Sequence, residues 1–381
     1  MKYTRMIFAV AFGVLCSMAL GSCKHDDEPE TADVESLTIV YAINNSSLSS
    51  DFESDCKEML VAMDGIDAER NKLMVYRMDN NTTCALYEPE FKKGVWGWRK
   101  ICDYNRQTTS TDPAVLERVL RDACSRYPDV HRTLIFWGHG SAWTPEFTDH
   151  QPTKSAPQRA FGGEYGSRGL KWMELTDLCQ AIPEKFDVIW FDCCYMSAIE
   201  VAYQIRGKAD WLVAYPSEVW SKGLNYDDIL PYIMRKDPGL VDAAKSFYEY
   251  YAWKDAPATV AVMDLSKIEP VADAMKRIFG EYPVPPQTYD IANYRRFDTP
   301  GYYDMRQLAD RRTGSNAALM SSFDNAMNNF VIYQACSSRD FNKNKWPDPN
   351  LSAVSMNNFK DSGSKEDEYY KTLDWYMRTA Y

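Results

Sequence analysis

The sequence predicts an α/β protein built on a mostly parallel sheet flanked by helices. The chain opens as strand, helix, strand: SLTIVYAI (Ser36 to Ile43), an amphipathic stretch from Asp51 to Met63, then KLMVYRM (Lys72 to Met78). Short β-rich apolar runs recur at Thr133 to Trp137, Val188 to Phe191, Asp210 to Ala214 and Thr259 to Met263, with helical patterns between them. Two of these runs end abruptly in residues that do chemistry, Gly138-His139-Gly140 and Asp192-Cys193-Cys194. Open parallel sheets place reactive side chains just beyond the carboxyl ends of their strands, so neighbouring strands ending this way bring a histidine and a cysteine together.

In chain order, residues 1–22 read as a signal peptide. Lys2 and Arg5 precede the apolar run Met6 to Leu20, which is short for a bilayer span, and small residues follow. Leu20-Gly21-Ser22-Cys23 resembles a bacterial lipobox, which implies that Cys23 becomes the acylated first residue of an outer-membrane lipoprotein, facing the cell surface or the periplasm. Residues 23–35 are an acidic tether. Residues 36–290 are expected to form the core, and 291–381 a C-terminal extension packed on it.

After the opening strand, Asn44 to Ser50 is a turn-rich loop, and Thr83 to Asn105 holds a small edge hairpin. Asp112-Pro113 starts a helix running to about Ser125, because proline suits a first turn. Thr144 to Gly169 lacks apolar periodicity, and a loop of that length in a compact domain is usually functional. A helix fits Met173 to Ile182. Met196, Ile199 and Tyr203 recur at three- and four-residue steps, which starts another directly behind Cys194. Tyr215 to Asn225 is the loop after the next strand, helices fit Asp227 to Met234 and Val241 to Trp253, and Thr259 to Met263 is the last core strand. Beyond Tyr282 a helix fits Asn316 to Ala335, and Leu373 to Tyr381 is an aromatic-rich end.

The 43 basic and 54 acidic residues give a net charge of −11, which argues against nucleic acid as a partner. Ten cysteines show no CxxC spacing, so no zinc or redox motif emerges. A vicinal pair closing on itself is strained and rare, which marks at least one of Cys193 and Cys194 as functional. A thiol attacks as thiolate, and its pKa falls beside an imidazolium or at a helix N-terminus. His139, between two glycines, can approach a substrate closely. Local logic does not choose between the two cysteines.

FWGHGSAW together with FDCCYMSAIEVAYQ is similar to the clostripain family of cysteine peptidases, whose signatures are a His-Gly after one strand and Asp-x-Cys-x-Met with a Glu four residues on. Asp192, Cys194, Met196 and Glu200 match the second pattern. Weaker matches are Tyr41 to Leu48, Tyr302-Tyr303-Asp304 and Leu373-Asp374-Trp375-Tyr376. The resemblance implies a caspase-like doubly wound fold, Cys194 as nucleophile, His139 as general base, and Cys193 in the place of a small variable residue. It also implies backbone N–H groups of Gly140 and Cys194 holding the oxyanion, and Asp192 lining a pocket for Arg or Lys. Glu218 is the nearest candidate for a second acidic wall, whereas Lys222 in the same loop opposes a basic substrate if it points inward.

Self-processing between the His and Cys strands is expected at Lys154, Arg159 or Arg168. No cofactor is expected. Calcium enters only through the resemblance, since some relatives depend on it and no EF-hand-like loop is visible. The expected protein is a monomeric endopeptidase acting on peptides and proteins with Arg or Lys before the scissile bond, touching the membrane only through its lipid. Its rivals are an idle relative that binds proteins or glycans through some of its 11 Trp and 25 Tyr, and a thiol redox protein using the vicinal pair.

Overall fold

The structure is a computed structural model that describes residues 33–79, 83–104, 109–145, 161–166, 169–295 and 301–380. Residues 34–381 form one compact unit. In chain order the elements begin β1 (Ser36–Ala42), α1 (Ser49–Ala62), β2 (Asn71–Asp79), β3 (Thr83–Lys92), β4 (Val95–Tyr104), α2 (Pro113–Arg126) and β5 (His131–Trp137). Next come β6 (His139–Gly140), β7 (Phe161–Gly166), β8 (Gly169–Met173), α3 (Leu175–Ala181), β9 (Phe186–Asp192), α4 (Ile199–Ile205) and β10 (Ala209–Ala214). Then follow α5 (Tyr226–Ile233), α6 (Leu240–Trp253), β11 (Thr259–Asp264) and α7 (Ile268–Glu281). The chain closes with β12 (Tyr303–Asp304), α8 (Met305–Thr313), α9 (Ala317–Phe330), β13 (Val331–Cys336), β14 (Ser355–Met356), α10 (Lys365–Tyr370) and α11 (Asp374–Thr379).

Among the described residues the main sheet has nine strands in the order β13-β11-β10-β9-β5-β1-β2-β3-β4. The five central strands, β10 to β2, are parallel, and both flanks are antiparallel. Every residue of β1 is buried, as a parallel strand covered on both faces must be. Alternation assigns the faces. Leu37, Ile39 and Tyr41 of β1 join Leu134 and Phe136 of β5 and Ile189 and Phe191 of β9 in one core, covered by α2, α3, α4 and α7. Val40, Ile135, Trp137, Val188 and Trp190 face the other, covered by α1, α5 and α6. Each fully buried Leu, Ile or Phe is worth roughly 1.5–3 kcal/mol, so a one-residue slip that exposed such a set would be prohibitive. This is the caspase-like doubly wound arrangement.

Predicted elements changed in three places, one of them the helix behind Cys194, which starts only at Ile199. The stretch read as one helix to Ala335 splits at Val331 into α9 and the edge strand β13, which pairs antiparallel with β11. Val331, Ile332 and Tyr333 favour extended backbone, and the open edge of β11 supplies the hydrogen-bond partners. The polar stretch to Gly169 contains β7, which pairs with β6 and with β8 in a small antiparallel sheet, so Met173 ends a strand instead of starting a helix. Helix α2 begins where the sequence puts it, with Pro113 in its first turn and the Asp112 side chain accepting from Ala114 N.

Residues beyond 290 share the first core: Tyr294, Tyr302, Met305, Phe323 and Trp375 are buried in it. Glu200 of α4 is fully buried and accepts hydrogen bonds from Asn357 N and Tyr370 Oη, both at 2.9 Å, which fastens this segment to the helix behind the cysteines.

Candidate active site

The chain leaves β1 toward β2 on one side and toward β5 on the other, and such a switch of direction opens a crevice at the carboxyl ends of the strands. The loops after β1, β5, β9 and β10 meet there around a cleft of about 470 Å3, lined by Ser47, His139, Gly140, Asp192, Cys194 and Glu218 among others.

His139 is half-buried at the start of β6, and burial lowers its pKa. Its Nε2 lies 3.1 Å from Ser47 Oγ, and the Trp172 ring is 6.1 Å away, centroid to centroid. Gly140 passes so close to the cysteine turn that a Cβ there would fall 2.6 Å from the Cys194 carbonyl oxygen. Only glycine can bring the strand after His139 against Cys194 in this way.

The two cysteines separate by strand parity. Cys193 continues the Ile189/Phe191 face, is fully buried, and donates its thiol to the Phe136 carbonyl at 3.2 Å. Cys194 is the first residue beyond the sheet to reach the cleft. The helix expected directly behind it starts only at Ile199. Tyr195 turns the chain at φ +66°, and the amides of Tyr195 and Ser197 donate to the carbonyls of Ser217 and Tyr215 after β10 instead of opening a helix. No helix dipole therefore acts on Cys194. Burial pushes its thiol up to about 12, with the Val219 amide working against that shift and Glu218 and Asp192 adding to it. The sulfur accepts from Val219 N at 3.4 Å and lies 3.8 Å from Val219 O. Among the described residues no hydrogen bond joins it to His139, although both line the same cleft.

Asp192 sits on the opposite sheet face and is 3 % exposed. Its Oδ2 accepts from Leu224 N and Tyr226 Oη, each at 3.1 Å, while Oδ1 is buried with no hydrogen-bond partner among the described residues. Burial raises the carboxyl to about 7 against the pull of these bonds and of Lys222. Lys222 is turned away from the cleft: its ammonium pairs with Glu58 and lies 3.8 Å from Asp55, both on α1. Glu218 is 7 % exposed and does line the cleft.

Ser47, Val219 and Asp55 escaped the sequence reading. The signal for Ser47 was present, since Asn44 to Ser50 follows a strand adjacent to the one that delivers His139. Cys23, Lys154, Arg159 and Arg168 lie outside the described residues. The eight described cysteines are all free thiols. Among the described residues no group of three or more His, Cys, Asp or Glu is arranged to hold a metal ion.

The sequence profile of the clostripain family matches residues 40–378. No curated protein sequence matches the chain. Among solved structures the chain is similar to a secreted C11 cysteine protease from Bacteroides thetaiotaomicron in complex with an irreversible peptide inhibitor, at 24 % identity and TM-score 0.79 over 91 % of this chain and 99 % of that one. It is also similar to an inactive zymogen C11 protease from Parabacteroides distasonis, at 22 % identity and TM-score 0.75 over 92 % of this chain and 99 % of the other. At these identities the likeness speaks for the fold.

Proposed function

Because the chain belongs to the clostripain family, and is therefore a cysteine peptidase, we propose that it cleaves peptide bonds after Arg or Lys, with Cys194 as nucleophile and His139 as general base. Cys194 attacks the carbonyl as His139 takes the thiol proton, and the N–H groups of Gly140 and Cys194 hold the oxyanion. His139 then gives its proton to the leaving amine, which departs and leaves an acyl-enzyme. It next removes a proton from water, whose attack releases the acid and regenerates the thiol.

One observation carries the specificity. Asp192 Oδ1 is a carboxylate oxygen buried beside the cleft with no hydrogen-bond partner among the described residues. A guanidinium or ammonium entering the cleft would complete it by a charge-assisted bond, strong where water is excluded. The pairing of Lys222 with Glu58 supports this reading, because Lys222 is not among the residues that line the cleft. The test is hydrolysis of short fluorogenic peptides ending in Arg, Lys, Ala or Asp; cleavage after Ala or Asp in preference to the basic residues overturns the pocket assignment.

In the described arrangement Val219 rather than His139 contacts the Cys194 sulfur. Processing at Lys154, Arg159 or Arg168 is proposed to release it, in a protein tethered through acylated Cys23. Intact-mass spectrometry of protein isolated from bacterial membranes is expected to give a chain beginning at lipid-bearing Cys23 and broken between His139 and Cys194. A single unbroken, unacylated and fully active chain would remove both proposals.

A pH dependence follows from Asp192. Its carboxyl is raised to about 7, so the anion that pairs with a basic substrate forms as pH rises through that value. The ratio of kcat/KM for an Arg peptide to that for the isosteric citrulline peptide is expected to climb between about pH 6 and 8. Taking the ratio cancels the titration of Cys194 and His139, which both substrates share. A flat ratio would show that Asp192 does not titrate in this range.

A further inference from the structure

We propose that Ser47 is a positioning residue for His139: its hydroxyl accepts the Nε2 proton and leaves Nδ1 as the basic nitrogen that faces Cys194 and the leaving group. The inference rests on the dyad assignment above. Three sides of the imidazole support it. At Nε2 stands Ser47 Oγ, 3.1 Å away. Beside Cδ2 lies the Gly163 backbone, so close that a Cβ there would fall 2.7 Å from that carbon. Nδ1 has no hydrogen bond among the described residues and is not among the buried atoms that lack a partner, so it is accessible in a residue that lines the cleft.

The serine is held by a braced loop. Asn44 Oδ1 accepts from Met78 N and its Nδ2 donates to Met78 O, both at 2.8 Å, tying the loop to β2. Asn45 O accepts from Tyr165 N at 2.8 Å and Asn45 Nδ2 donates to Tyr165 O at 3.2 Å, tying it to β7, the strand that also carries Gly163. Leu48 N donates to Ser46 Oγ at 3.2 Å, and Ile43 N to Trp137 O at 3.0 Å. The loop and β7 thus grip the ring from two sides and are bonded to each other.

The dyad chemistry sets the direction of the bond: Ser47 is exposed and can give its own proton to water, which leaves its oxygen to accept from Nε2–H. If the hydroxyl donated instead, the imidazole proton would sit on Nδ1, and that nitrogen could not take the thiol proton. With Nε2–H bonded to Ser47, Nδ1 accepts the proton from Cys194 Sγ, and the resulting imidazolium keeps a hydrogen-bond acceptor at Nε2. Nδ1 then returns the proton to the departing amine.

The experiment compares wild type with Ser47→Ala and Ser47→Thr, both at an exposed loop position where folding is spared. With an Arg peptide, Ser47→Ala is expected to lower kcat about fivefold to tenfold, the worth of one net hydrogen bond, with KM unchanged. Ser47→Thr, which keeps the hydroxyl, restores the rate. Nitrogen-15 spectra of histidine-labelled protein read the tautomer directly, and only four histidines compete for assignment. Wild type is expected to carry the proton on Nε2 at pH 8, and Ser47→Ala to redistribute it. A proton on Nδ1 in wild type, an unchanged kcat in Ser47→Ala, or a change confined to KM would overturn the assignment of Ser47. Failure of wild type to cut any peptide of the Arg, Lys, Ala and Asp series would instead sink the dyad reading, and the tautomer spectrum separates the two outcomes.

Discussion

Cys194→Ala is expected to lower kcat/KM for an Arg peptide by at least about 10^4-fold, while Cys193→Ala keeps the activity within a few-fold of wild type. The two side chains are consecutive, yet the pleat sends them to different environments. Cys193 falls on the face with Ile189 and Phe191, with its sulfur bonded to the Phe136 carbonyl inside the core, and its thiol is held well above the ordinary range chiefly by burial. A substrate carbonyl cannot reach it there. Truncating it removes one buried sulfur and its weak hydrogen bond, at a cost of about 1 kcal/mol in stability. Cys194 lies past the last sheet residue and lines the same cleft as His139, and no other described thiol lines that cleft. Labelling with a peptidyl chloromethyl ketone followed by peptide mapping gives an independent reading, expected to mark Cys194 alone. Activity that survives Cys194→Ala, or vanishes with Cys193→Ala in a folded protein, would reverse the assignment.

Asp192→Asn is expected to lower kcat/KM for Arg peptides about 10- to 100-fold while leaving the citrulline peptide nearly unchanged, the size of one charge-assisted bond made only to a cationic side chain. The same substitution should raise the stability of the free protein more at pH 8 than at pH 5. The folded carboxyl has its pKa raised to about 7 from an ordinary value of 3.8, so stability is lost as pH rises from the lower value through the higher one. An amide at this position escapes that loss and can still accept from Leu224 N. Asp192 would thus be kept at a cost to the fold for the sake of the substrate, the usual relation between a buried unpaired charge and a binding site. Thermal denaturation at the two pH values, alongside kinetics on the paired peptides, checks both halves. Equal losses on Arg and citrulline peptides would mean that Asp192 supports the cysteine turn and does not read the substrate.

Much of this site was legible before any coordinates. The runs ending at Trp137 and Asp192 are short, β-branched and apolar, so their identity as buried parallel strands depends on local composition alone. The position of His139 and the cysteine pair at their carboxyl ends then follows from how parallel sheets are connected. Asp192, Cys194, Met196 and Glu200 at fixed spacing carried the family likeness, because a strand and the turn after it hold those spacings rigidly. Elements that depend on a partner were misread. Val331 to Cys336 continues the periodicity of the helix before it, and only the free edge of β11 makes it a strand. Phe161 to Gly166 is rich in glycine and becomes a strand only between β6 and β8.

Sequence by itself determined the strand-end chemistry and the presence of an acidic residue next to the thiols, since both depend on neighbours one or two residues away. Tertiary structure alone decided that Ser47 meets His139 across a separation of 92 residues, that Lys222 leaves the cleft for Glu58 of α1, and that Val219 clasps the sulfur. It also decided that no helix begins at Cys194, because the amides of Tyr195 and Ser197 found carbonyls after β10 instead. Contacts of that kind are set by which loops the sheet order brings to one edge, and hydrogen bonds between such loops outweigh the local periodicity that suggested a helix.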